Sequence, residues 1–158
     1  MTPRQPVLPV DRCAQDALDQ VIADAIAAVR LEFPPGYSPS ARHTLWECGA
    51  NARHGNRYAA ARITKQIRGD AHQLALSQKL PRFTGPVTIL GVQHPPKGGR
   101  GLDSENIAPL VKAAIDGLRD ANVLINDTSK WVPVVSYTVG ARTPRGQLVL
   151  LITPVGAP

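Results

Sequence analysis

Aromatic side chains are scarce in this chain, at 4% of residues. That scarcity counts against a protein that works by stacking many unpaired bases. Cysteine is nearly missing as well. Cys13 and Cys48 form no Cys-x-x-Cys pair and no secreted-type framework, so both read as reduced thiols, with a disulfide as the minor alternative. The four histidines make no His-x-His or His-Glu-x-x-His pattern and no cluster with cysteine, which argues against zinc. The segment Lys97-Gly-Gly-Arg-Gly101 lacks the Walker spacing and its closing Lys-Ser/Thr, and reads as a flexible basic loop. Long apolar runs are lacking too. Leu148–Val155 is too short to span a bilayer, and Pro3, Pro6, Pro9 and Asp11 interrupt any apolar core of a secretory signal. A soluble, cytoplasmic protein with no membrane partner is the expectation.

What is present is an ordinary globular composition in 158 residues, 43% hydrophobic and 19% charged. One domain with a real core is expected. The net charge is +6, which suits a polyanionic partner such as nucleic acid or an anionic membrane surface. The excess is local. Residues 41–100 carry ten basic and two acidic side chains, whereas residues 101–158 carry five of each and residues 1–40 three basic and five acidic.

Periodicity divides the chain into an N-terminal extension, 1–40, and a main domain, 41–158. The extension opens with a Pro-rich, disordered start. Asp11 then caps a helix with Ala14, Leu18, Val21, Ile22, Ala25, Ile26 and Val29 at helical spacing, and Phe33–Pro39 reads as a linker. In the main domain His43–Cys48 is a strand candidate. Residues 56–77 form a helix with Ala59, Ile63, Ile67, Ala71 and Leu74 on one stripe. Its other faces carry Arg57, Arg62, Lys65 and Arg68, either a solvated surface or phosphate contacts; the regional charge excess favours contact. A strand follows over 83–93 and a helix over 107–121, with Pro109 tolerated in its first turn. Strands over 131–139 and 148–153, joined by the loop Gly140–Gly146, suggest a closing hairpin. The fold class expected is α/β of the α+β kind: a mixed sheet with helices packed mainly on one face.

The acidic residues carry the chemistry. Asp103 and Glu105 flank one residue, so an extended backbone turns both to one side. Gathered carboxylates repel unless a cation shares the site, and magnesium or manganese prefers oxygen donors. The alternative is plain helix-start decoration, since Asp, Ser, Glu and Asn all favour a helix N-terminus. Asp127 lies in Asn-Asp-Thr, which is also an ordinary turn. Lys112 either neutralises a phosphate or pairs on the surface with Asp116 at i,i+4.

From Gln93 to Val155 the chain resembles the RusA family of Holliday junction resolvases. That family has a Pro- and Arg-rich loop, an Asp-x-Asp-Asn motif, a helical Lys with an Asp four residues later, an Asp-Asp turn and two closing strands. Here the loop is His94-Pro-Pro-Lys-Gly-Gly-Arg-Gly-Leu102 and the motif Asp103-Ser-Glu105-Asn106. Lys112 and Asp116 lie in Pro-Leu-Val-Lys-Ala-Ala-Ile-Asp-Gly-Leu118, and the turn is Val-Leu-Ile-Asn126-Asp127. The finish is similar in Val132–Tyr137 and Gly146–Thr153, and Asn51–Arg57 is similar to the loop after the family's first strand.

The resemblance implies a structure-selective endodeoxyribonuclease that resolves Holliday junctions in recombination and repair. It implies Asp103, Glu105 and Asp127 as metal-binding catalytic carboxylates for Mg2+, or Mn2+, Lys112 as catalytic lysine, and Asn106 and Asp116 in support. Branched DNA would be the partner, held by phosphate contacts from Arg53, Arg57, Arg62, Lys65, Lys97 and Arg100, with the loop at 142–145 contributing. A homodimer would present two identical sites to a four-way junction, in the cytoplasm of a bacterial host, whether bacterial or phage-encoded. Three departures stand out: Glu105 replaces an Asp, Asn126 replaces the first Asp of the turn, and the Asn106–Lys112 segment is longer than the family motif. An accessory DNA-binding protein with the same fold and weakened catalysis is the alternative.

Overall fold

The computed structural model describes residues 28–39, 57–99 and 103–156. Strand β1, Val29–Glu32, is followed by helix α1, Arg57–Ser77, and strand β2, Val87–His94. A 3-10 turn, Ser104–Ile107, leads directly into helix α2, Ala108–Asp120; strands β3, Val134–Val139, and β4, Gln147–Pro154, complete the set. The four strands form one mixed sheet in the order β1-β4-β2-β3. β2 and β3 run parallel, and β4 pairs antiparallel with both β1 and β2. The expected α+β class with a mixed sheet is what the chain adopts.

Residue pattern explains the order. β4 contains an uninterrupted apolar run, with Leu148, Val149, Leu150 and Ile152 all buried, as suits a strand enclosed on both sides. β3 alternates apolar with Ser136 and Thr138, and four of its six residues are exposed. It accordingly takes an edge. The expected β3–β4 hairpin is therefore corrected: the long loop carries the chain across β2, so β2 pairs with both strands and they never pair with each other.

The core lies between the sheet and the two helices. α1 offers Ile63, Ile67, Ala71 and Ala75, and α2 offers Leu110, Val111, Ala114, Ile115 and Leu118, to Val87, Ile89, Leu148, Leu150 and Ile152 of the sheet. Two glycines allow the close approach. A Cβ at Gly117 would lie 2.4 Å from the backbone oxygen of Arg68, and one at Gly91 would lie 2.6 Å from Val111 Cγ2. α2 thus crosses tightly over β2 while resting on α1.

The N-terminal boundary changes as well. Val29 does not close a helix but opens β1, and Leu31 and Phe33 are fully buried. The backbone N–H of Phe33 donates to Leu148 O at 3.0 Å. Val29, Arg30, Leu31 and Glu32 alternate, and the β-period wins because β4 offers a free edge to pair with. The Phe33–Pro39 segment is folded rather than a linker: Phe33 packs on Tyr37 at 4.9 Å between ring centroids, and the Tyr37 hydroxyl donates to Asp70 of α1. The helix expected from Asp11 and the strand expected at His43–Cys48 lie outside the described residues.

Candidate active site

Asp127 is delivered by the way α2 ends. Ala121 caps the helix and Asn122 follows at φ 59°, in the left-handed region that Asn tolerates well. Asn122 N–H donates to Arg119 O and Val123 N–H to Leu118 O, both at 3.0 Å. These two bonds make a Schellman motif, and they drive Val123 and Leu124 into the core. The chain is turned back along α2, and Asp127 returns to the helix face bearing Lys112 and Arg119.

The contacts there form a ladder of alternating charge. Lys112 Nζ donates to Asp116 Oδ1 at 3.0 Å and to Asp127 Oδ2 at 2.5 Å. Arg119 Nη1 donates to the other oxygen of Asp127, Oδ1, at 3.0 Å. Arg119 Nη2 reaches Asp120 at 3.5 Å, and Asp120 receives a two-pronged contact from Arg68 of α1 at 2.5 and 2.8 Å. The Lys112 ammonium, with Arg119 behind it, holds the Asp127 carboxyl well below the usual carboxylate range. Reciprocally, Asp127 raises the Lys112 ammonium. Asn126 turns inward on its neighbour, its Oδ1 accepting the Asp127 N–H at 2.8 Å.

Asp103 and Glu105 are placed differently. Asp103 stands at the N-cap of the 3-10 turn without a side-chain capping hydrogen bond, and Glu105 lies in its first turn. Both carboxylates are exposed and join no ion pair among the described residues. Asn106 is buried at 8% exposure, its N–H bonded to Asp103 O. Glu105 lies in the 3-10 turn, seven residues before Lys112, about 10 Å along the helix axis. Among the described residues no three His, Cys, Asp or Glu side chains come together as a metal-holding group. The donors suit a hard cation, being oxygen only. Their arrangement does not fit a formed centre, because both Asp127 oxygens are taken by cations.

Of the expected phosphate contacts, Arg62 and Lys65 are exposed on α1 and Lys97 is exposed in the loop after β2. Arg57 opens α1; Arg53 and Arg100 lie outside the described residues. Arg142 Nη1 donates to Pro96 O at 2.9 Å and Gly99 O at 2.8 Å, fastening the basic loop to the β3–β4 connection. Arg119 and Asp120 were not singled out as site residues from sequence, and Arg68, expected on a phosphate-contacting face of α1, pairs with Asp120 instead. The signal was available, since Lys112, Asp116 and Arg119 fall at i, i+4 and i+7 on one helix face.

No protein-family model matches this chain, and no curated protein matches it either. Among the described residues no helix is long and apolar enough to cross a membrane.

Proposed function

We propose that the protein is a structure-selective endodeoxyribonuclease that resolves Holliday junctions and other branched DNA by metal-dependent phosphodiester hydrolysis, as its resemblance to the RusA family implies. The observation that supports this reading is the meeting of Lys112 and Asp127. They lie fifteen residues apart, one on a helix and one in a turn, and the resemblance assigns both to one site. In this reading Lys112 and Arg119 face the phosphate and offset its negative charge, where preorganised donors act most strongly. Arg62, Lys65 and Lys97 contact the backbone of the junction arms, which sets orientation rather than sequence preference. Asp103 and Glu105, before the other end of α2, join no ion pair among the described residues. Magnesium, with manganese as substitute, is proposed on the oxygen chemistry of Asp103, Glu105 and Asp127, which would hold it only once Asp127 is released from Lys112 and Arg119; a cation held there would supply activation of water and stabilisation of the leaving oxygen. A homodimer in the bacterial cytoplasm would match the twofold demand of a four-way junction.

A gel assay tests this directly. Wild type and Asp103→Asn are incubated with a four-way junction and a linear duplex, with and without magnesium. The expected result is nicking of the junction only, only with magnesium, and only by wild type. Equal cutting by Asp103→Asn removes the site assignment, and no cutting by wild type removes the enzyme.

A second reading, a DNA-binding accessory protein with weakened catalysis, is favoured by one observation. Both oxygens of Asp127 are committed to ion pairs, and Asn126 serves the backbone instead of adding a carboxylate. Junction binding in low salt without any nicking is the outcome that selects it.

A further inference from the structure

We propose that Lys112 and Arg119 form a phosphodiester-binding site that Asp127 occupies in the free protein as an internal stand-in for the phosphate. The inference deepens the nuclease reading and rests on it only for the owner of the phosphate, a DNA backbone. The geometry is that of one anion shared by two cations. Lys112 Nζ takes Oδ2 at 2.5 Å and Arg119 Nη1 takes Oδ1 at 3.0 Å. A phosphodiester offers the same recognition elements, a single negative charge spread over two free oxygens, and Arg and Lys are its usual partners.

The two sides of the contact differ in mobility. Lys112 and Arg119 stand seven residues apart, about two turns of one helix, so their spacing is set by backbone hydrogen bonds. Each cation also has a second carboxylate that stays behind: Asp116 for Lys112 and Asp120 for Arg119. Asp120 is itself pinned by Arg68, which keeps the guanidinium aimed when Asp127 departs. Asp127, by contrast, sits in an irregular turn outside any helix or strand, so it can swing without breaking secondary structure. Access is open, with the Lys112 side chain 59% exposed and that of Asp127 17% exposed. With Asp127 in place, the group Lys112, Arg119, Asp116 and Asp127 is neutral. With it withdrawn, one positive charge is unmatched, enough for one phosphodiester. Exchange of this kind also explains the paired state of Asp127: its oxygens become free for other ligands only when a phosphate has taken their place.

The test uses the full chain, inorganic phosphate as probe, and neither DNA nor metal. Side-chain N–H signals of the arginines are followed by NMR through a phosphate titration of wild type, Asp127→Asn, Asp127→Ser and Asp127→Asn/Arg119→Gln. Glu32→Gln, an equal charge change on β1, is the control. Both single Asp127 variants are expected to bind phosphate at least tenfold tighter than wild type, with the Arg119 signal shifting. The double variant is expected to lose that gain, and Glu32→Gln to change affinity less than twofold. Equal phosphate affinity in wild type and both Asp127 variants overturns the proposal, as does a gain that persists without Arg119. Because no DNA is present, a failure of junction cleavage alongside the phosphate gain counts against the nuclease reading alone.

Discussion

The two ends of α2 hold acidic residues in opposite conditions. At the C-terminal end Asp116, Asp120 and Asp127 are each in contact with a lysine or arginine. Before its N-terminal end Asp103 and Glu105 are exposed, with no ion pair among the described residues. The contrast shows that acidity in sequence does not mark one kind of site. A carboxylate flanked by cations is neutralised and oriented. One exposed to water has its charge screened by solvent and needs no cation beside it.

Function should break this contrast most visibly. Under the nuclease reading, Asp103→Asn and Asp127→Asn each lower junction cleavage by at least about 100-fold, since even residues behind a metal's own ligands cost about 10–100-fold. Single-turnover cutting of a four-way junction measures it. Loss in one variant but not the other would confine the chemistry to one end of the helix.

The next effect concerns what keeps the paired end together. Gly117→Ala puts a Cβ against the Arg68 backbone oxygen and the Ala71 side chain, forcing α1 and α2 apart. A loss of about 1–3 kcal/mol is expected, as for other overpacked cores, read from urea unfolding. A wild-type midpoint would mean that the two helices can separate freely and that the Arg68–Asp120 link is incidental.

A smaller effect depends on pH. The folded Asp127 carboxyl is held below its unfolded value of about 3.9. Its pairing therefore stabilises the protein above that value, and the benefit fades as pH falls through and below it. Asp127→Asn should cost no more than about 1 kcal/mol at neutral pH, because Lys112 is largely exposed and solvent weakens the pair. The gap between wild type and variant should close in acid. For Lys112 the sign reverses: its raised ammonium contributes below about 10.4 and loses that contribution as pH rises further. Thermal unfolding of both proteins across pH tests the two limbs, and a gap that widens in acid would contradict the pairing.

The smallest effects are expected at the other end. Asp103→Asn and Glu105→Gln should shift stability by less than about 0.5 kcal/mol, as usual for exposed substitutions away from partners. A larger loss, seen by the same unfolding assay, would mean that these carboxylates hold the fold and are not kept for chemistry.

How far these features can be read from sequence differs by element. α1 is legible almost to the residue because its apolar stripe and its ending at Ser77 are local properties. The Lys112–Asp116 pair was one of the two readings open for that lysine, and i,i+4 geometry alone brings it about. β1 was missed because Val29 also continues the helical stripe of Val21, Ile22, Ala25 and Ile26; only the free edge of β4 decides for a strand. The hairpin failed for a related reason. Adjacency in sequence favours pairing, but the apolar β4 takes an inner place between β1 and β2, on the far side of β2 from β3. Arg119 escaped attention because its partner Asp127 lies beyond a helix end whose turn had to be known first.

The sequence by itself determined the amphipathic faces of α1 and α2, the apolar runs of β2 and β4, and the clustering of charge along the chain, all of which follow from residue type and local periodicity. Tertiary structure alone decided which strands pair and which acids meet cations distant in sequence. Those outcomes depend on where a Schellman turn sends the chain and on how closely Gly91 and Gly117 let α2 approach its neighbours. Distances between residues far apart in sequence are set by packing, and no local pattern encodes them.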